Sequence, residues 1–339
     1  MNTDTHSRRR AEPPHDPPHK ASYELPYAAL VGGTPVRSAD LEVRGVRAHV
    51  RVYGAETAPR RMVFLHGLRG DHHGLEPIVA HLVQARPDLQ VWVPDLPGFG
   101  ASAPLRDRAH DVAGYAAWTA ELLAAVAPEG DVVLAGHSFG SIVAAATVAA
   151  PVGTGPGLRP APSVRGLVLV NPIATAALDG PRRAMSAVTV GVHRLAAALP
   201  ERAGTGLLRH PLFTRIASLA MVTSTDREMR RWIHAEHDRY FSGFADRRTL
   251  LEAFHASVGT DVAAYAPRIS APTLLVASEN DDVAPLPSQR VLESTLADAR
   301  LVVIPRVGHL AHYEAPGAVA RETAGFLAAL EPAAGRDEQ

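Results

Sequence analysis

The feature that most constrains this chain is a succession of short, unbroken apolar runs separated by stretches patterned for helix. Residues 62–65, 91–93, 132–135, 167–170, 273–277 and 301–304 are rich in aliphatic and β-branched side chains without polar alternation, as strands covered on both faces must be. Between them, Val112, Tyr115, Ala116, Thr119, Leu122, Leu123 and Val126 share one helical face. Val319, Ala320, Thr323, Phe326 and Leu327 share another, behind Pro316 at a helix start. Strands alternating with helices predict an α/β fold on a mostly parallel sheet. Residues 41–54 add a hairpin turning at Gly45.

The alternation fails once. From residue 173 to 267 no strand pattern occurs, while Arg, Ala, Leu and aromatic residues recur at helical spacing, so this interval is expected to be a helical cap or lid inserted into the core. The core then comprises residues 41–172 and 268–332. Residues 151–163 form a smaller Gly/Pro-rich excursion. Residues 1–40 are expected to be a mostly disordered tail, because the first twenty are rich in Pro and charge. Three consecutive Arg there precede no apolar segment, unlike a secretory signal. His6, His15 and His19 are scattered through that composition and receive no metal role.

Composition narrows the function classes. The 34 Lys and Arg against 35 Asp and Glu give a net charge of −1, which removes the broad electrostatic case for a nucleic-acid or anionic-membrane partner. No apolar run approaches the roughly 18 residues of a membrane-spanning helix. The chain has no Cys, so disulfides, thiolate nucleophiles and Cys-ligated metals are excluded. A soluble, cytoplasmic protein is the expectation.

The sharpest chemical signal is Gly136-His137-Ser138-Phe139-Gly140, with an apolar strand pattern before it and an Ala/Val-rich helix pattern after it. A Ser at a tight strand-to-helix turn has an exposed hydroxyl, and Gly two residues to either side lets the backbone pass without a Cβ clash. The Phe139 N–H then sits at a helix N-terminus, suited to a developing oxyanion. This arrangement resembles the nucleophile elbow of the α/β-hydrolase fold superfamily, whose Ser-nucleophile members include esterases and lipases. The resemblance runs from about residue 41 to 330 and implies a sheet of about eight strands with helices on both faces. Residues 63–70, VFLHGLRG, are similar to the family's second oxyanion loop. That likeness implies that the Leu68 N–H joins that of Phe139 and that His66 stabilises the loop. Residues 95–102, DLPGFGAS, resemble a family turn and serve as a fold marker.

A Ser hydroxyl needs a neutral imidazole to take its proton and a carboxylate to orient that imidazole. Residues 308–316, with Gly308, His309, Glu314 and Pro316, resemble the family's catalytic-His loop, which implies His309 as the base. His312 departs from that position, and His137 is expected to pack around the elbow. Residues 273–285 resemble the strand-to-acid turn, and the shared Pro285 sets the register that implies Asp281. Asp282 and Glu279 remain competitors. An acid after the preceding strand, used by some relatives, is absent because that strand ends in Asn171-Pro172.

The resulting expectation is a serine hydrolase of a small-molecule acyl substrate, without cofactor or metal, acting through Ser138, Asp281 and His309. Carboxylesterase, lipase, lactonase, thioesterase, C–C hydrolase, acyltransferase and perhydrolase activities share such a core, and a non-catalytic ligand receptor is the reading of another class. Ser138 disfavours the dehalogenases and most epoxide hydrolases of this fold, which use Asp. Within the inserted interval, Trp232, Phe241 and Phe244 are candidates to contact substrate. His234 and His237 are spaced i, i+3 but lack a further matched metal ligand. Arg69, beside the oxyanion loop, is expected to be solvent-exposed, with contact to an acidic substrate as the alternative.

Overall fold

A computed structural model describes residues 26–128, 131–150, 163–176 and 183–331. Eight strands form one sheet: β1 (Val36–Val43), β2 (Val46–Tyr53), β3 (Arg60–Leu65), β4 (Leu89–Pro94), β5 (Val132–His137), β6 (Val164–Val170), β7 (Thr273–Ser278) and β8 (Ala299–Ile304). Their order is β1-β2-β4-β3-β5-β6-β7-β8. The β1/β2 and β2/β4 pairs are antiparallel, and from β4 to β8 every pair is parallel. All six apolar runs are therefore strands of one mostly parallel sheet.

The absence of polar alternation has a direct cause. Val63 and Leu65 of β3, Leu134 of β5 and Leu167 and Leu169 of β6 pack into one apolar layer. Their neighbours Met62, Phe64, Val133, Ala135, Val168 and Val170 point to the opposite side and fill a second. Helices α3 (Val112–Val126) and α4 (Phe139–Ala149) cover the first layer. The second lies under α2 (Glu76–Ala85) and the C-terminal helix Pro316–Ala329. Burying such a side chain contributes about 1.5–3 kcal/mol, so both faces of each strand hold its register.

The antiparallel hairpin closes through Arg44 and Gly45, both with positive φ (52° and 70°), the two-residue turn whose twist suits paired strands. Its first strand begins at Val36, and a short helix, α1 (Ala28–Gly32), precedes it. Residues 26–40 therefore carry structure that composition alone had assigned to the tail, because pairing with β2 satisfies a backbone whose own side chains are mostly exposed. Residues 1–25 and the Gly/Pro-rich stretch 151–162 lie outside the described residues.

Among the described residues, five α-helices lie between β6 and β7: α5 (Arg183–Ala198), α6 (Glu201–Leu208), α7 (Pro211–Met221), α8 (Arg227–Tyr240) and α9 (Arg247–Gly259). They are joined to the core through backbone. The Gly100 N–H donates to the Gly243 carbonyl (3.0 Å) and the Ala245 N–H to that of Gly98 (2.8 Å). Arginine side chains tie the helices to one another, as where Arg247 donates to the Ala196 (2.9 Å) and Leu199 (2.6 Å) carbonyls.

Candidate active site

The strand β5 ends at His137, α4 begins at Phe139, and Ser138 between them has φ 53° and ψ −119°. A non-glycine residue in that region is strained, and such strain persists only where its surroundings fix it. They do so here through the two flanking glycines. A Cβ on Gly136 would run into the Gly140 carbonyl, and one on Gly140 into the Leu65 and His66 carbonyls. The Ser138 N–H donates to the Val170 carbonyl (3.1 Å), which pins the turn to β6.

Ser138, His309 and Asp281 form one hydrogen-bonded chain. His309 Nε2 lies 2.9 Å from Ser138 Oγ, and His309 Nδ1 lies 2.8 Å from Asp281 Oδ2. A carboxylate at Nδ1 assigns the proton there and leaves the Nε2 lone pair toward the hydroxyl. Asp281 is buried, whereas its competitor Asp282 is exposed. The Val283 and Ala284 N–H groups each donate to Asp281 Oδ1 (2.8 Å). Burial pushes the Asp281 pKa up, but the His309 charge and hydrogen bond, the Ala284 N–H and the Asn171 amide outweigh it and hold the carboxyl below its ordinary value.

Asn171, which the sequence shows only as the lack of an acid after the preceding strand, meets this carboxylate. It is fully buried, has φ 46°, and its Nδ2 donates to Asp281 Oδ2 and Ser278 Oγ, each at 2.8 Å. The residue before a proline is disfavoured in the right-handed helical region, and Asn adopts the left-handed one more readily than most residues. Asn171-Pro172 at the end of a strand was therefore the available signal.

Two histidines stand behind His309. His137 Nε2 lies 3.3 Å from the His309 carbonyl, and its ring stacks obliquely 4.1 Å from that of His312. Burial lowers the His137 pKa to about 3, the neighbouring His309 acting in the same direction, and burial drives His312 well below its ordinary value. Both rings are neutral at ordinary pH. On the other side, His66 accepts from the Leu96 N–H at Nε2 (2.8 Å) and meets the Gly67 carbonyl at Nδ1 (2.8 Å), so it holds its loop. Neither the Leu68 nor the Phe139 N–H has a hydrogen-bond acceptor among the described residues. Both backbone donors are free for a ligand.

Arg69 departs from the solvent-exposed expectation: it is 4% exposed, with φ 64°. Its Nε and Nη2 donate to the Phe241 (3.0 Å) and Leu208 (2.9 Å) carbonyls, and its guanidinium lies 5.1–5.6 Å from the ring centres of Phe213, Phe241 and Phe244. Sequence reading missed this because the rings and carbonyls come from residues about 140–175 positions away. Phe241 is also 5.0 Å from His237, and the backbone of Phe244 bridges to Phe99. Trp232 packs edge-on against Tyr27 and Tyr313 in a small cluster with Ile233 and Leu310. His234 and His237 meet at a hydroxyl, their Nδ1 atoms 2.6 and 2.7 Å from Ser218 Oγ.

Two other clusters bring three potential metal-binding atoms within 4.8 Å: His49, His72 and Asp95, and Asp71, His72 and His73. Within them His72 Nδ1 lies 2.8 Å from Asp95 Oδ1 and His73 Nδ1 3.0 Å from Asp71 Oδ1, while His72 Nε2 is buried without a hydrogen-bond partner. Asp95 also accepts from the His72 and Ala101 N–H groups. These bonds tie the turn after β4 to His72. No helix among the described residues is long and apolar enough to cross a membrane.

Comparison with known proteins agrees with this architecture. A stretch of 84 residues is 36% identical to RutD of Pseudomonas syringae pv. syringae (strain B728a), a protein named as a candidate carbamate hydrolase, and covers 25% of this chain and 32% of that relative. Among solved structures, an esterase from Exiguobacterium antarcticum is similar with a TM-score of 0.67 at 16% identity, over 86% of this chain and all of that one. The enol-lactonase from Burkholderia xenovorans LB400 gives 0.66 at 20% identity, over 86% of this chain and 100% of its own. A thermophilic esterase from Thermogutta terrifontis gives 0.64 at 21%, over 87% and 100%. At such identities these likenesses speak to the fold. Residues 62–322, most of the chain, match the model of the alpha/beta hydrolase family; with the sheet order and the elbow already described, the chain belongs to that family.

Proposed function

We propose that the chain is a serine hydrolase that cleaves an ester or related acyl bond through an acyl-enzyme intermediate. The observation that carries this reading is the unbroken chain from Ser138 Oγ through His309 to Asp281, at 2.9 and 2.8 Å. Ser138 attacks the acyl carbonyl while His309 Nε2 takes its proton. Asp281 holds the imidazolium, already fixed by two backbone N–H groups and the Asn171 amide. The free N–H groups of Leu68 and Phe139 receive the oxyanion, the proton on His309 passes to the leaving group, and water then releases the acyl group by the same route. The helices of residues 173–267 act as the cap over this site and shape its substrate range.

A fluorophosphonate probe tests the assignment. Stoichiometric labelling mapped to Ser138, with hydrolysis of p-nitrophenyl esters of graded chain length, is the expected outcome. A folded sample that resists several such probes would favour the ligand-receptor reading. Lactones, acyl thioesters and, given the similarity to a protein named as a carbamate hydrolase, aryl carbamates complete the panel.

A further inference from the structure

Arg69 stands out because its charge is buried without an opposite charge. No carboxylate lies within salt-bridge distance of it among the described residues, although buried arginines are ordinarily paired. A guanidinium has five N–H bonds; two are used, on the Phe241 and Leu208 carbonyls. Nη1 is buried and makes no hydrogen bond. Leaving such a donor unsatisfied costs about 1–3 kcal/mol, more where the group is charged. Three phenylalanine rings give partial compensation, but burial still lowers the Arg69 pKa to about 10.

The surroundings add two observations. His193, 1% exposed on α5, meets the Thr189 carbonyl at Nδ1 (2.8 Å), while its Nε2 is buried without a partner. Arg69 contributes to the low pKa of His193, after burial and a Thr189 hydrogen bond that opposes it, so the two groups sense each other electrostatically. Arg209, exposed, stacks on Phe244 (4.7 Å), the same ring that Arg69 approaches at 5.6 Å. Two arginines thus meet at one aromatic patch formed by rings of the helical segment, and Arg69 is covalently next to Leu68, whose free N–H is assigned to the oxyanion.

We propose that Arg69 is a recognition residue for a carboxylate on the substrate, set a few carbons from the scissile carbonyl, so that the preferred substrates are acidic acyl compounds. This rests on the hydrolase reading of the same site. The carboxylate supplies the acceptor that Nη1 lacks and neutralises a charge already taken out of water, so little is lost to desolvating Arg69 again on binding. The net charge of −1 for the whole chain is no obstacle, because recognition is local.

The test compares mono-p-nitrophenyl esters of adipic, pimelic and suberic acids with the same compounds methyl-capped at the free acid. The wild-type protein is expected to favour the acid form in kcat/KM at one or more lengths. Arg69→Gln is expected to reduce the acid-to-neutral ratio at least tenfold, and Arg69→Lys to reduce it less. The ratio is independent of any general loss of activity caused by disturbing the loop. Equal or better turnover of the capped esters by the wild type at every length, or an unchanged ratio in Arg69→Gln, would overturn the proposal; the wild-type comparison stands if the variant does not fold. Binding provides a readout that does not need turnover. Monomethyl adipate should raise the melting temperature of Ser138→Ala more than dimethyl adipate does, and Arg69→Gln in that background should abolish the difference. Absent turnover with this binding difference intact overturns the hydrolase reading alone, whereas equal stabilisation by the two esters, or by inorganic phosphate, overturns the carboxylate assignment.

Discussion

Among the described residues, two places bring a serine hydroxyl to a histidine ring nitrogen at hydrogen-bond distance, and they differ in burial, backbone strain and partners. At the elbow, Ser138 is half-buried at a strained turn, 2.9 Å from a histidine whose other nitrogen meets a carboxylate. Within the helical segment, Ser218 is 1% exposed on α7 and lies 2.6 and 2.7 Å from His234 and His237 on α8. Neither of those histidines hydrogen-bonds a carboxylate among the described residues, and the nearby Asp238 pairs with Arg215. Burial lowers the His237 pKa to about 3, with His234 and Arg215 adding to it. A serine and a histidine in contact therefore do not make a nucleophile. Orientation by a carboxylate, access, and free backbone donors separate a reactive pair from a packing contact.

The largest test of that contrast is the pair of serine substitutions. Ser138→Ala is expected to reduce turnover by about 10⁴-fold or more and to abolish fluorophosphonate labelling. Ser218→Ala should leave labelling intact and lower the melting temperature, having removed a buried hydrogen bond worth about 1 kcal/mol. The reverse pattern would break the comparison. Removing the orienting carboxylate comes next. Asp281→Asn should reduce kcat by roughly 10³–10⁴-fold with the fold preserved, while Asp282→Asn, at an exposed position, should have a small effect. A circular dichroism spectrum and kcat measured on both variants decide which aspartate serves His309.

A smaller effect is expected from Asn171→Ala, which frees one oxygen of Asp281 and loosens the carboxylate. About tenfold in kcat, with KM little changed, corresponds to one buried hydrogen bond to a charged group. A change confined to KM would argue against a positioning role. The smallest effect at neutral pH concerns His137, His237 and His312, whose folded pKa values lie below the ordinary imidazole value. The unfolded chain binds more protons than the folded one between about pH 3 and 6.5. Stability is thus complete above about pH 6.5 and falls as the pH drops through that window, by at most about 1.4 kcal/mol per pH unit for each histidine. Melting temperatures from pH 7 to 4 should show the decline, and His237→Phe should flatten it; equal slopes would contradict the neutral, buried state of that ring.

Much of this was legible in the sequence, for local reasons. Six apolar runs became six strands because alternate side chains such as Met62 and Val63 enter opposite apolar layers. The Arg44-Gly45 turn and the Gly136 and Gly140 flanks follow from backbone sterics that a sequence displays openly. The residues of the Ser138, Asp281 and His309 chain were recognisable from turns beside them, with Pro285 favouring Asp281 while Asp282 and Glu279 stayed in competition. Asn171 and Arg69 were not. The amide of the first acts on a carboxylate 110 residues away, and the guanidinium of the second reaches a carbonyl 172 residues away. Nothing in the neighbouring sequence states such a partner.

By itself, then, the sequence determined which segments are strands, where the strained serine turn falls and which residue types compete to serve it, because covalent geometry and side-chain periodicity act over a few residues. Only the tertiary structure decided that Asp281 meets His309 while Asp282 faces solvent, that Asn171 holds that carboxylate, and that Arg69 is enclosed by phenylalanines with one nitrogen unpaired. Burial and hydrogen-bond partnership are properties of chain segments brought together from far apart, and these set the charge state and orientation of each group.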